Sequence, residues 1–113
     1  MSYTRTAQFD AQRSLAFGSI VAGYTLVGSN TFFYPVRVLI VQNLTDATVQ
    51  FSTNGSVDHF PLAAGDKFVL DIAANDAEDN PWFLPKEQGV YVKRIGTPTT
   101  GSVYVSAVFG RTD

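Results

Sequence analysis

Short runs of apolar residues, separated by turn-forming residues, make up most of the chain from residue 14 onward. The strongest run is residues 36–42, VRVLIVQ, which follows Pro35, a residue that can open a strand but not lie inside one. Its apolar side chains fall on both faces, which is typical of a central strand. Gly, Pro, Asn and Asp interrupt the chain roughly every eight to twelve residues, the spacing expected of an all-β sandwich or barrel.

Alternation with a period of two indicates several further strands. In residues 66–72, Phe68 and Leu70 fall on one face of the predicted strand, and Val69 falls on the other. Similar patterns mark residues 48–53, 89–95 and 102–109, with weaker ones at 15–20 and 24–28. No helix of ordinary length fits between the interruptions. The sequence therefore predicts an antiparallel β-sandwich of about seven or eight strands, of jelly-roll or immunoglobulin-like character.

The alternation also predicts which residues form the core and how two hairpins pair. The expected core residues are Val38, Ile40, Val49, Phe51, Phe68, Leu70, Val92 and Val105. Asn54-Gly55 is the dipeptide of a two-residue type I′ turn, which would place Phe51 opposite Asp58 and Val49 opposite Phe60. Residues 89–95 and 102–109 are predicted to form a last hairpin across the loop at 96–101.

The chain divides into an N-terminal arm, residues 1–13, and a single β-sandwich domain, residues 14–113. The arm is polar, holds two isolated aromatic residues, Tyr3 and Phe9, and shows no sustained period. Two interpretations are open: an assembly arm that pairs along the sheet edge of a neighbouring subunit, or a frayed terminus without a role. Residues 73–81, AANDAEDNP, are the most acidic segment and are predicted to be a surface loop.

Composition narrows the class of protein. The 113 residues are 45% hydrophobic, enough to build one core, while only 16% are charged, below the roughly 25% of an average globular chain. A net charge of -2 is too balanced for binding nucleic acid by neutralising phosphates over the whole surface, so no sequence-specific nucleic acid partner is expected. The absence of cysteine excludes disulfides, thiolate metal ligands and cysteine nucleophiles. No membrane span or signal peptide is predicted, and hence no membrane partner.

Candidate catalytic and metal-binding residues are few. His59 is the single histidine and follows Asp58, but neighbours in a strand point to opposite faces, which disfavours a shared catalytic site. We therefore expect a hydrogen-bonded histidine near the hairpin and no enzymatic activity. The acidic segment offers oxygen ligands without the spacing of a calcium loop, at Asp76, Glu78, Asp79 and Asn80. The sequence thus predicts no catalytic residues, no metal site and no cofactor.

Binding candidates are mainly aromatic. Trp82 and Phe83, between two prolines, are candidate interaction residues together with Tyr3 and Phe9. Such aromatic residues either stack on a sugar or base or, more commonly, bury a large area in a core or interface. The sequon Asn43-Leu44-Thr45 carries no weight in a chain expected to remain unsecreted.

Two blocks of the sequence, PVRVLIVQNLTD at residues 35–46 and FSTNGSVDHFPL at residues 51–62, resemble small virion proteins of tailed bacteriophages. Residues 89–93 and 101–107 are similar to the same family, so the resemblance spans most of the chain from about residue 14 to residue 110. It implies a structural role in the particle, as a ring or collar at the head-to-tail junction or as a decoration subunit on the capsid. It brings no catalytic signature and no functional residues.

Three function classes follow. The first is a structural subunit of a virion, assembled in the host cytoplasm, whose partners are further copies of itself and the portal, connector or major capsid protein. The second is a carbohydrate- or ligand-binding β-sandwich module, since sandwiches often carry sites on their loops. An enzyme is the third. A small, weakly charged, cysteine-free domain fits the first class best, because much neutral surface suits permanent contacts.

Overall fold

The computed structural model describes residues 5–28, 30–32, 36–71 and 88–112. These residues form nine strands and one short 3-10 turn, Phe17–Ser19. The strands are β1 Arg5–Phe9, β2 Arg13–Ala16, β3 Thr25–Leu26, β4 Val38–Asn43, β5 Val49–Ser52, β6 Phe60–Leu62, β7 Lys67–Asp71, β8 Tyr91–Arg94 and β9 Ser102–Thr112. The predicted all-β fold is confirmed.

The strands form two antiparallel sheets that pack face to face. In the five-stranded sheet the order is β1-β9-β4-β7, with β2 also paired to β9. In the four-stranded sheet it is β3-β8-β5-β6. Strand β4 lies between β9 and β7, as its apolar residues on both faces predicted.

β1 and β2 are one edge strand interrupted by a β-bulge. Phe9 lies opposite Val108, whereas Arg13 lies opposite Val105, so four steps along one strand match three along β9. Asp10 stays tied to β9 through its backbone N–H, which donates to the carbonyl of Ala107 at 2.9 Å. Because side chains alternate between faces, the extra residue reverses the alternation. Phe9 therefore faces outward and Arg13 faces the core.

The pairing is nested along the chain in the manner of a rolled hairpin. With β1 and β2 counted as one strand, the first strand pairs with the last, β3 with β8, β4 with β7, and β5 with β6. This order is the jelly roll rather than the immunoglobulin arrangement. The predicted last hairpin between residues 89–95 and 102–109 is wrong, because β8 belongs to the four-stranded sheet and β9 to the five-stranded one. Residues 95–101 cross between the sheets.

The core fills the space between the inner faces of the two sheets. Its most deeply buried large side chains are Val27, Phe32, Val36, Leu39, Val41, Val49, Phe51, Val92, Val103 and Val105. Of the predicted core, Val49, Phe51, Val92 and Val105 are buried, and Phe68 and Leu70 pack against the core partly buried. The prediction for Val38 and Ile40 is wrong: both point outward and are half-buried, because Leu39 and Val41 take the inner face of β4.

The hairpin at Asn54-Gly55 has a longer loop than predicted. Phe51 lies opposite Phe60 and Val49 opposite Leu62, two residues beyond the predicted register. The Asn54 side chain accepts hydrogen bonds from the backbone of Ser56 and Val57, which stabilises a wider turn than the type I′ geometry. A shift of two residues keeps every side chain on its predicted face.

The segment predicted to be an N-terminal arm contains a strand. Arg5–Phe9 pairs with β9 of its own chain, and Arg13 is 7% exposed. The predicted acidic loop at residues 73–81 lies outside the described residues.

Candidate assembly surface

The outward face of the five-stranded sheet carries a continuous group of apolar side chains. We call this group the outer apolar patch: Phe9, Val38, Ile40, Val69 and Val108. Cross-strand pairing makes them neighbours, since Val108 lies opposite both Phe9 and Val38, and Ile40 lies opposite Val69. Side chains directly opposite each other on one face of a sheet are in contact distance.

Two members of the patch are large apolar side chains that lie exposed. Phe9 is 74% exposed and Val69 is 51% exposed. Val38, Ile40 and Val108 are half-buried. Apolar groups gathered on one exposed face typically mark a protein–protein contact.

The bulge between β1 and β2 places Phe9 in the patch. Without the extra residue, Phe9 and Arg13 would share a face, because they are four positions apart along a strand. The bulge is held by Arg13, whose guanidinium donates to three backbone carbonyls: Nη1 to Ala11 at 2.8 Å, Nε to Asn30 at 2.8 Å and Nη2 to Thr31 at 2.6 Å.

Arg13 has two further contacts that fix its position. Its guanidinium lies 3.6 Å from the carboxylate of Asp10, which is also buried, and 5.1 Å from the centre of the Phe32 ring. A Cβ at Gly28 would come within 2.9 Å of the Arg13 side chain, so only glycine fits beside it. Arg13 therefore links the edge strand to Gly28 and to residues 30–32.

A polar cluster on the four-stranded sheet is formed by Tyr24, Asp58 and Lys93. Tyr24 donates its hydroxyl proton to Asp58, and Lys93 Nζ lies 3.0 Å from the same carboxylate oxygen and 4.8 Å from the centre of the Tyr24 ring. Partial burial, followed by the hydrogen bond to Asp58, raises the pKa of Tyr24 to about 12. The hydroxyl of Tyr24, followed by Lys93, lowers the pKa of Asp58.

His59 has a structural contact within its loop. Its Nδ1 accepts a hydrogen bond from the backbone N–H of Thr53 at 2.9 Å, which closes the loop between β5 and β6. The predicted hydrogen bond near the hairpin is therefore found. Its neighbour Asp58 contacts Tyr24 and Lys93 instead, so His59 and Asp58 have different partners.

The sequon residue Asn43 is buried, with no exposed side-chain area. Its amide nitrogen donates to the carbonyls of Ala47, Leu62 and Ala63 at 2.9 to 3.1 Å. Its amide oxygen accepts hydrogen bonds from the backbone and the hydroxyl of Thr45. The pair Asn43 and Thr45 thus joins the loop after β4 to the end of β6.

Two loops at one end of the sandwich are joined by Asp46 and Gly101. The Asp46 carboxylate accepts hydrogen bonds from the hydroxyl and, second, from the backbone N–H of Thr99, and these bonds lower its pKa. Gly101 has φ +88°, and a Cβ there would lie 2.1 Å from the carbonyl oxygen of Leu44. This approach requires glycine.

Of the four predicted interaction residues, Phe9 lies in the outer apolar patch, whereas Tyr3, Trp82 and Phe83 lie outside the described residues. The acidic candidates Asp76, Glu78, Asp79 and Asn80 lie outside them as well. Within the described part of the chain, no three His, Cys, Asp or Glu side chains are grouped to hold a metal ion. No helix found there is long and apolar enough to span a membrane.

Apart from Phe9 and Val69, the members of the outer apolar patch are not predicted by the sequence pattern. Val69 was correctly predicted to face outward, but Val38 and Ile40 were assigned to the core and Val108 was not singled out. The pairing of β4 with β9 and β7 reveals the patch, and that pairing joins residues far apart in the chain. No protein-family model matches this chain, and no curated protein matches it.

Proposed function

We propose that the chain is a non-enzymatic structural subunit of a tailed bacteriophage particle. It contacts further copies of itself and the portal, connector or major capsid protein, at the head-to-tail neck or on the capsid surface. This proposal rests on the outer apolar patch, where Phe9 is 74% exposed and Val69 is 51% exposed on one face of a sheet.

The fold and composition support the same proposal. Jelly rolls are common in viral capsids and also in lectins, so the fold is compatible with a virion role by analogy. The low charged fraction of 16% leaves a neutral surface, and charge depletion is a feature of interface centres.

The polar clusters have structural roles. Asp58 accepts from Tyr24 and faces Lys93, His59 closes a loop, and Asp46 holds Thr99. Each of these groups is engaged by a partner within the fold, as expected of residues that stabilise surface loops.

The alternative function is a carbohydrate- or ligand-binding module. Sugar recognition uses an open aromatic face with polar groups beside it. At the cluster of Tyr24, Asp58 and Lys93, the lysine lies over the tyrosine ring, and the carboxylate faces both partners. That arrangement favours a closed structural cluster over a sugar platform, so we place the assembly role first.

The decisive experiment is immunogold electron microscopy of tailed phage particles from a host whose genome encodes this chain, with an antibody raised against the purified protein. We expect gold at a constant position, either on the capsid or at the neck. Unlabelled particles from a preparation in which the protein is otherwise expressed would contradict the proposal. A glycan array with the same purified protein tests the alternative, which specific binding to one class of glycan would support.

A further inference from the structure

In the part of the chain that the structure describes, the two sheets have four edges, which differ in their protection against pairing with another chain. The edge formed by β1 and β2 is interrupted by the bulge. Strand β3 has two residues, and β6 has three with Pro61 in the middle, which has no backbone N–H. Bulges, prolines, very short strands and charged side chains are devices that block edge pairing.

The fourth edge, β7, has no bulge and no proline and is not short, although it carries the charged residues Lys67 and Asp71. Lys67–Asp71 is five residues long, contains no proline, and pairs regularly with β4 over its whole length. Among residues 5–28, 30–32, 36–71 and 88–112, no strand pairs with β7 on its other side. It also borders the outer apolar patch through Val69.

The direction of the backbone groups in β7 follows from one hydrogen bond. The backbone N–H of Asn43 donates to the carbonyl of Asp66 at 2.9 Å, so every second residue of β4, counted back from Asn43, directs its groups at β7. The β7 residues opposite them, Phe68 and Leu70, direct their backbone N–H and C=O groups at β4. The N–H and C=O groups of Lys67, Val69 and Asp71 therefore point away from β4.

These backbone N–H and C=O groups can form hydrogen bonds with the same groups of a second copy of β7. When two copies of β7 pair antiparallel about a two-fold axis at Val69, each Lys67 lies opposite Asp71 of the second copy. All three facing pairs are then of the hydrogen-bonded kind. If the two-fold axis passes instead through Lys67 or through Asp71, only one facing pair within β7 is hydrogen-bonded. Two lysines or two aspartates then face each other, which is unfavourable.

We propose that β7 is the edge through which two copies of this chain pair, antiparallel and centred on Val69. The contact is isologous, as in most two-fold dimers. It joins the two five-stranded sheets into one continuous sheet and makes the two outer apolar patches neighbours at Val69. This inference deepens the proposed assembly role by naming the partner and the register.

The first test uses the absence of cysteine in the chain. In a hydrogen-bonded antiparallel pair the facing Cα atoms lie about 5.5 Å apart, within the roughly 4.4–6.8 Å that a disulfide spans. The full chain carrying Val69→Cys is oxidised and analysed by non-reducing electrophoresis. We expect most of it to form a covalent dimer.

The matched control is Val57→Cys, in the loop between β5 and β6, because Val57 is 54% exposed and Val69 is 51% exposed. We expect only background cross-linking from this control. Equal cross-linking of the two variants, or none in Val69→Cys, would overturn the proposed register.

A charge exchange provides a second test. Lys67→Asp and Asp71→Lys each bring like charges together twice in the dimer, and each is expected to weaken dimerisation roughly tenfold or more. The double variant restores opposite charges and is expected to dimerise like the original chain, as measured by analytical ultracentrifugation. A double variant no stronger than the weaker single variant contradicts the pairing, provided that circular dichroism shows all three folded.

The outcomes separate this inference from the proposed function. Particles labelled by the antibody, together with absent cross-linking of Val69→Cys, would leave the virion role standing and remove the β7 contact. Efficient cross-linking with unlabelled particles would leave the dimer standing and remove the virion role.

Discussion

Replacing Arg13 by methionine tests whether the edge strand is anchored in the core. The sequence places this residue in an arm outside the domain, whereas in the structure it is 7% exposed and bonds to three backbone carbonyls. Methionine keeps much of the aliphatic packing, so Arg13→Met mainly removes the guanidinium.

The expected loss of stability follows from those contacts. Hydrogen bonds from a charged group contribute about 1.5–3 kcal/mol each, but they share one side chain and do not add independently. The change also removes the cation beside the Asp10 carboxylate, whose side chain is 3% exposed. Breaking a buried ion pair by removing one partner costs about 3–5 kcal/mol. We expect Arg13→Met to lower the free energy of unfolding by about 3–5 kcal/mol, a large part of the roughly 5–15 kcal/mol of a whole domain.

Equilibrium unfolding in urea, followed by circular dichroism, measures this loss. Arg94→Met is the control, because Arg94 is exposed on β8 and its replacement is expected to change stability by no more than about 0.5 kcal/mol. The double variant with Asp10→Asn is expected to lose less than the sum of the single losses, because both changes disrupt the same ion pair. A loss below about 1 kcal/mol for Arg13→Met would refute the reasoning, since one ordinary hydrogen bond contributes that much.

Three further predictions concern the loops at the end of the sandwich. Gly101→Ala is expected to cost at least about 3 kcal/mol in urea unfolding, because φ is +88° and the new Cβ would meet the carbonyl of Leu44. Asn43→Asp places a carboxylate among three carbonyls, which raises its folded pKa; the loss of stability should be smallest below about pH 3.9 and grow as the pH rises toward the folded pKa. The pKa of Asp46, measured by NMR titration, should lie below its ordinary value and return toward it in Thr99→Val, so that its stabilisation disappears as the pH falls through the lowered pKa.

The predictions above concern the stability of the folded chain, whereas the β7 contact concerns its dimerisation. The two are separable because Asp46, Asn43 and Gly101 lie in or beside the loops at one end of the sandwich, whereas Val69 lies on a sheet edge. A variant that loses stability through the loops should still cross-link through β7 at temperatures where it is folded.

Local pattern in the sequence was enough to predict the class of fold and most of the strands. Period-two alternation and turn-forming residues depend only on neighbours along the chain, so residues 48–53, 66–72 and 102–109 were correctly predicted to contain strands. The outward orientation of Val69 and the positive φ of Gly55 follow from the same local signals.

The tertiary structure decided what depends on distant pairing. Strand β4 is apolar on both faces, so only its neighbours β9 and β7 reveal that Leu39 and Val41 face the core while Val38 and Ile40 join the outer apolar patch. The bulge before Arg13 cannot be seen in a polar segment, because it exists only relative to the register of β9. Edges and exposed patches are likewise properties of strand order, and strand order arises from contacts between residues that are far apart in the sequence.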